Sequence, residues 1–212
     1  MVEQAPFIEW LKNYEENIHL LEADIWARLS AAVASAKHPF HLPAIATINE
    51  KGFPSLRTVV LRNAVATQKS IYFHTDVRSP KWQNLQNNHA LAALFYDASA
   101  RLQLRIEGKA LLHYQDAYCE NAWQKTGVSS RRCYLATQAP SSAMSFPSSG
   151  LPDEMNDRNP TLDESSPGYN NFGVVEIKVQ QIDWLWLNSK GHRRVIFTYS
   201  SDGNFQYNWL TP

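Results

Sequence analysis

The stretch Pro43–Arg62, PAIATINEKGFPSLRTVVLR, decides the fold. Ala44–Ile48 and Leu56–Leu61 are short runs of β-branched and aliphatic residues, and Asn49-Glu50-Lys51-Gly52-Phe53-Pro54 between them carries turn chemistry. Together they predict a β-hairpin. The second arm is unusual for a buried strand, because Arg57 and Arg62 bracket Thr58, Val59, Val60 and Leu61. Solvated strand ends and an anion lying against the arm account for these cations equally well. In a strand, residues at an odd spacing point to opposite faces, so one small anion could take both arginines only across a bulge. Two anions, or one long ligand, fit the spacing better.

Working outward, 212 residues with 44% hydrophobic and 12% aromatic content suffice for one domain with a substantial core. Twenty acidic and twenty basic side chains cancel. No global field draws nucleic acid or an anionic membrane, and any anion site must be local. Cys119 and Cys133 are too few for a disulfide framework and lack metal-ligand neighbours, which points to a reducing compartment and no metal site. Met1–Glu15 has early acids and no leader-like apolar core, and nowhere do about eighteen apolar residues run together. A cytoplasmic protein without a membrane span is expected.

N-terminal helices are expected within about residues 6–36: a short one over Pro6–Asn13, then a longer one from about Leu21 to Ala36 with Ile25, Leu29 and Val33 on one stripe. His38 and His41 follow in a helix-breaking loop without a third ligand type nearby. Ser70–His74 is a third strand. Thr75-Asp76-Val77-Arg78-Ser79-Pro80-Lys81 then turns into a helix, with Ser79 suited to the cap and Pro80 to the first helical position. A helix start flanked by Thr75, Arg78 and Lys81 has the physics of a phosphate site, and equally that of a capped helix with surface cations. Ala90–Tyr96 and Leu102–Leu112 are strands. The second alternates Leu102, Leu104 and Ile106 with Gln103, Arg105 and Glu107, which leaves Gln103 on the polar face. Helical pieces are expected over Tyr114–Lys125 and Arg131–Gln138, and a long loop over about 139–171, rich in Ser, Pro, Asn and Gly. Three strands complete the chain: Phe172–Leu187, interrupted around Gln180, then Val195–Ser200 and Phe205–Leu210. Many closely spaced strands argue for a small antiparallel barrel.

The succession RTVVLR (Arg57–Arg62), FHTDVRSPK (Phe73–Lys81), LQLRIEGKA (Leu102–Ala110), QIDW (Gln181–Trp184), GHRRVIF (Gly191–Phe197) and terminal WLTP resembles the pyridoxamine 5'-phosphate oxidase family. The resemblance covers roughly residues 40–212. It implies an FMN-binding split barrel, mainly β with a Greek-key antiparallel barrel and peripheral helices, forming a homodimer with FMN at the interface. The implied activity is oxidation of a phosphorylated B6 vitamer. Carried over by position, Arg57 would hold the FMN phosphate, with Thr58, Val59 and Val60 along the flavin ring. Arg62 stands at the family's lysine, His74 and Thr75 at its Tyr-Thr pair and Lys81 at its phosphate lysine. Arg78 and Ser79 would add to the phosphate site. Gln103 and Gln138 match the family's glutamines, and Arg194 its C-terminal FMN arginine.

The departures bear on substrate. Pro80 replaces an arginine, and the flavin-contacting tryptophan falls at Leu185, so that Trp184 or Trp186 could serve only if the alignment slips. Ala122–Ser130, AWQKTGVSS, lacks the Tyr and Arg that clamp the family's substrate phosphate, and Lys190-Gly191-His192 replaces an Arg-x-His pair. The cofactor half of the pattern is retained and the substrate half largely replaced, as in the family's FMN-binding relatives. An oxidoreductase passing a hydride between FMN and a small substrate held by His192, Lys190 and Arg62 is therefore expected. The alternative is a non-catalytic FMN-binding or storage protein; a haem-binding relative and a barrel without cofactor fit the retained motifs less well.

Overall fold

A computed structural model describes residues 12–14 and 16–212. The helix expected over Pro6–Asn13 lies outside these residues except at its end, and residues 12–14 are helical. Helix α1 (Ile18–Ala34) starts at Asn17, whose side-chain oxygen accepts from the His19 N–H, and buries Leu21, Ile25, Trp26 and Leu29. Each such fully buried aliphatic contributes about 1.5–3 kcal/mol. A polar tie fixes the same face: Lys69 Nζ and the Tyr199 hydroxyl both donate to Glu22 Oε1, at 2.6 and 3.0 Å.

The strands are β1 (Ala44–Ile48), β2 (Pro54–Thr58), β3 (Leu61–Val65), β4 (Ser70–Asp76), β5 (Ala90–Asp97), β6 (Leu102–His113), β7 (Phe172–Trp186), β8 (Arg193–Tyr199) and β9 (Phe205–Leu210). Helix α2 (Pro80–Asn87) follows β4, and α3 (Ala117–Lys125) follows β6. All pairings are antiparallel, in the order β2-β1-β5-β6-β7-β4-β3, with β8 on β7 and β9 on β8. Strand β7 pairs with β6 along one edge and divides the other: Phe172–Lys178 pairs with β4, Gln181–Trp186 with β8. The handover falls at Gln180, where a bulge shifts the β6 register between Glu107 and Gly108. This bulge is the interruption expected there; the strand itself runs on. The sheet curls into the expected split barrel. Ile45, Phe73, Phe95, Leu104, Ile106, Ile182, Trp184 and Phe197 fill its centre, and a second, smaller core of Tyr72, Cys119, Trp123, Tyr134, Phe172 and Val174 lies under α3.

Beyond shifts of one to three residues at the ends of α1, β4 and β8, four departures from expectation stand out. The arm Leu56–Leu61 is two strands rather than one, because the chain passes at Val59 and Val60 from pairing with β1 to pairing with β4: the Val59 N–H still bonds the Pro43 carbonyl in register, but Pro43 has no N–H to return. Helix α3 begins at Ala117 rather than Tyr114, since β6 extends to His113 and Asp116 caps the helix by accepting the Cys119 N–H at 2.7 Å. The helical piece expected from Arg131 begins at Val128 and ends at Leu135. The loop over 139–171 holds helical turns at Asp153–Met155, Leu162–Ser165 and Ser166–Asn171, the middle one closed by a Thr161–Glu164 capping box. Cys119 and Cys133 are free thiols, and no helix among the described residues is long and apolar enough to cross a membrane.

The bulge demands a bare backbone at Gly108, where an added Cβ would overlap the Lys178 carbonyl oxygen. Gly108→Ala is expected to destabilise the protein by about 1–3 kcal/mol, read as a lower urea midpoint at unchanged m-value.

Candidate functional site

The two arginines of the deciding stretch part company. Arg57, on β2, turns inward: its Nη1 donates to Thr47 Oγ1 at 2.7 Å and its Nη2 to Ser55 Oγ at 2.7 Å. Asn84 of α2 donates to the same Thr47 hydroxyl at 3.1 Å, which fixes the helix to this corner. Lys81, in the first turn of α2, donates to Thr75 Oγ1 at 2.8 Å and lies 3.4 Å from Ser79 Oγ. Ser79 stands at the cap position but makes no side-chain cap bond; its hydroxyl lies 3.3 Å from Thr75 Oγ1. Burial and then the nearby Arg57 push the Lys81 ammonium below its ordinary pKa. Among the described residues no carboxylate pairs with either cation. Two cations and four hydroxyls converging without a counter-charge form a donor set for a phosphate.

Arg78 is absent from that set, contrary to expectation. Asp76 takes its guanidinium through Nε and Nη2, at 3.0 and 2.7 Å, and the Ala136 carbonyl accepts a further bond at 2.9 Å. The carboxylate that could have neutralised the corner is thereby occupied.

Arg62 opens β3 on a different side. With His74, Tyr72, Tyr118, Asn121 and Lys125 it walls a cavity of about 500 Å³ in which no acid takes part. Thr75 and His74, adjacent on β4, point to opposite faces, so the expected pair is divided between the phosphate corner and this cavity. Burial, then Arg62, lowers the His74 pKa to about 4, and its ring meets Phe172 edge-on. Lys125, Tyr118 and Asn121 were not singled out by sequence. Their one signal is a helical spacing of three and four residues. Arg131 secures the helix end that carries Lys125: its Nη2 donates to the Trp123 carbonyl at 2.7 Å and its guanidinium lies over the Trp123 ring.

The remaining expected residues lie elsewhere. Thr58 closes β2 opposite Ala44, and Val59 and Val60 link β2 to β3, the Val59 N–H bonding the Pro43 carbonyl at 3.0 Å. Gln138 is exposed beyond the Ala136 contact. Gln103 and Arg194 flank Leu185 on the barrel's outer face, and Arg194 bonds Asp183. Trp184 and Trp186 point into the core, so neither shares the outer face of Leu185 with Gln103 and Arg194. Lys190 and His192 sit exposed in the β7–β8 turn, where His192 Nδ1 accepts the Asn188 N–H at 3.0 Å. His74 pairs with Val174 near the start of β7, while the turn follows Trp186 at its end, roughly 40 Å away for an extended strand. Within one chain they are not brought to Arg62.

Residues 23–114 match the family model described as pyridoxamine 5'-phosphate oxidase, FMN-binding domain. Over that stretch the chain is similar to the pyridoxamine 5'-phosphate oxidase family, and its fold is that of the FMN-binding split barrels. It is 28% identical over 202 residues to a pyridoxine/pyridoxamine 5'-phosphate oxidase of Chromobacterium violaceum, covering 89% of this chain and 86% of that one. The Arabidopsis thaliana pyridoxine/pyridoxamine 5'-phosphate oxidase 2 is 26% identical over 194 residues, covering 86% and 92%. Among solved structures, a pyridoxamine 5'-phosphate oxidase-related FMN-binding protein from Nostoc punctiforme has the same fold, with a TM-score of 0.67 at 20% identity over 88% of this chain and 95% of that one. PhzG from Burkholderia lata, with tetrahydrophenazine-1-carboxylic acid, gives 0.64 at 17% identity over 92% of each. FMN is the cofactor of this domain family, and the corner at Arg57, Lys81, Thr75 and Ser79 suits its phosphate by charge and by donor count.

The low pKa of His74 sets a pH dependence. Below pH 6.5 the unfolded chain takes up a proton at this residue that the folded chain refuses until about pH 4, so stability falls as pH drops through that window. His74→Gln removes this component. The difference in unfolding free energy between variant and parent should change between pH 6.5 and 4 by at most about 1.4 kcal/mol per unit, measured by urea titration. A flat difference would mean that the ring ionises as it does in water.

Proposed function

We propose that the protein is an FMN-dependent oxidoreductase acting on a small anionic substrate, with the cofactor held between two copies of the chain. The observation that carries this reading is the acid-free cavity at Arg62 and Lys125, which backs across β4 onto the cationic corner. FMN, when bound, supplies the two-electron chemistry by exchanging a hydride with the substrate. The chain supplies placement. Arg57, Lys81, Thr75 and Ser79 neutralise the phosphate, and the backbone at Thr58, Val59 and Val60 offers polar groups to the ring. Arg62 and Lys125 draw in the anionic end of the substrate. His74, held neutral, adds a hydrogen-bonding nitrogen without a third charge.

A second copy fits the outer face, where the small side chains Ala44, Ala46 and Ala92 lie beside the exposed Leu56 and Leu94. Docking there would present Gln103 and Arg194 to the partner's cofactor and Lys190 and His192 to the partner's cavity. Pyridoxamine 5'-phosphate, the substrate class of the named relatives, meets the charge requirement. So does an aromatic carboxylate like the one bound to PhzG.

Anaerobic mixing of the FMN-loaded protein with each compound tests the reading. Bleaching of the flavin absorbance by an anionic donor is expected; no bleaching by any would leave a storage protein. Arg57→Ala and Lys81→Ala should each lower FMN content at least tenfold at unchanged circular dichroism, whereas full content in both would move the phosphate elsewhere. Arg62→Ala and Lys125→Ala should retain FMN and raise KM roughly 10–100-fold, the effect of losing one charge-assisted hydrogen bond.

A further inference from the structure

Asp183 lies on the outer face of β7, yet it is only 3% exposed. Two guanidinium groups cover it. Arg194 of β8 donates through Nε to Oδ1 at 3.1 Å and through Nη2 to Oδ2 at 2.8 Å, and Arg105 of β6, directly opposite, donates through Nη2 to the same Oδ2. Although burial alone would raise the carboxyl's pKa, the two arginines hold it below its ordinary value. Two cations therefore share one anion. The grip uses one edge of Arg194 and leaves Nη1 without a hydrogen bond among the described residues. Arg105 spends a single nitrogen and keeps half of its side chain exposed, at 51%. The free N–H groups open onto a recess of about 440 Å³ that Ala44, Ala92, Leu94 and Ile196 also wall. Glu107, the recess's other acid, lies one pleat beyond Arg105, on the side away from Gln103.

We propose that Asp183 is a positioning residue that aims Arg194 and Arg105, as one cationic pair, at the FMN held by a second copy of the chain. This rests on the interfacial reading of the cofactor site. An arginine loses much rotamer freedom when it grips a ligand. Here Asp183 has already immobilised both side chains, so less is lost on binding. Arg105 is thereby a cofactor contact in its own right, outside the set that the motifs assign.

The test measures FMN dissociation constants and flavin midpoint potentials for the holoprotein and for Asp183→Asn, Arg105→Leu, Arg194→Ala and the Asp183→Asn/Arg194→Ala double variant. Arg194→Ala and Asp183→Asn are each expected to weaken FMN binding about tenfold, and the double variant by well under the roughly hundredfold of independent effects, because Asp183 acts through Arg194 and, in smaller part, through Arg105. Arg105→Leu should weaken it about three- to tenfold and move the potential negative. Asp183→Glu should restore part of the affinity. If Asp183→Asn and Arg105→Leu lower only the thermal midpoint, with affinity and potential at parental values, the cluster merely ties strands and the proposal falls. Should Asp183→Asn fail to fold, Arg105→Leu, which truncates a half-exposed group, decides by the same two measurements. Arg57→Ala is the control: retention of FMN there would overturn the cofactor reading itself, whereas its loss there with no effect at Asp183 and Arg105 overturns this inference alone.

Discussion

Arg57 and Lys81 are held close together with no carboxylate between them, and much of the molecule is arranged around that unbalanced pair. Like charges brought together and partly desolvated oppose folding. The protein tolerates them because hydroxyls from Thr47, Ser55, Thr75 and Ser79 solvate the cations and because Asp76, the nearest acid, is occupied by Arg78. An anion entering the corner relieves the repulsion and satisfies the free N–H groups at once. Binding and folding are therefore coupled there, and a chain carrying its phosphate is the more stable one.

Strand β4 divides the chemistry. Its alternation sends Thr75 to the cationic corner and His74 to the cavity behind, so adjacent residues face two different recesses. The cavity's far wall is α3, which does not belong to the barrel. It is held by the second core beneath it, by Asp116 at its start and by Arg131 at its end. On the proposed reading, a change on that helix would alter the cavity without disturbing the cationic corner. This matches the sequence, in which the barrel motifs are retained and 122–130 departs from the family pattern.

The barrel was legible because its strands alternate cleanly, and the phosphate corner because Thr75, Ser79, Pro80 and Lys81 mark a helix start that also carries charge. What escaped notice were relations between strands. The pattern RTVVLR looks like one strand, since the change of partner at Val59 and Val60, from β1 to β4, is made by β-branched residues with no glycine or proline to announce it. Arg78 looked like a phosphate ligand because sequence gives its place in the turn and not the competing Asp76 two residues earlier. Lys125 carries no sequence signal of its own, because the cavity it lines is closed by Arg62 and His74 from distant strands. Lys190 and His192 were placed by motif beside Arg62, although β7 separates them by most of its length within one chain.

The extra residue at Gln180 has a consequence for the arithmetic of β7. Before it, the odd-numbered side chains Val175, Ile177 and Val179 enter the barrel; beyond it, the even-numbered Ile182, Trp184 and Trp186 do so. A single continuous strand thus switches parity in midcourse, and that switch is what leaves Asp183 and Leu185 on the outside. Because the bulge absorbs the extra residue, loss of Gln180 would leave Ile182, Trp184 and Trp186 facing inward in plain alternation; what the spacer adds is the local bend at which β7 passes from β4 to β8.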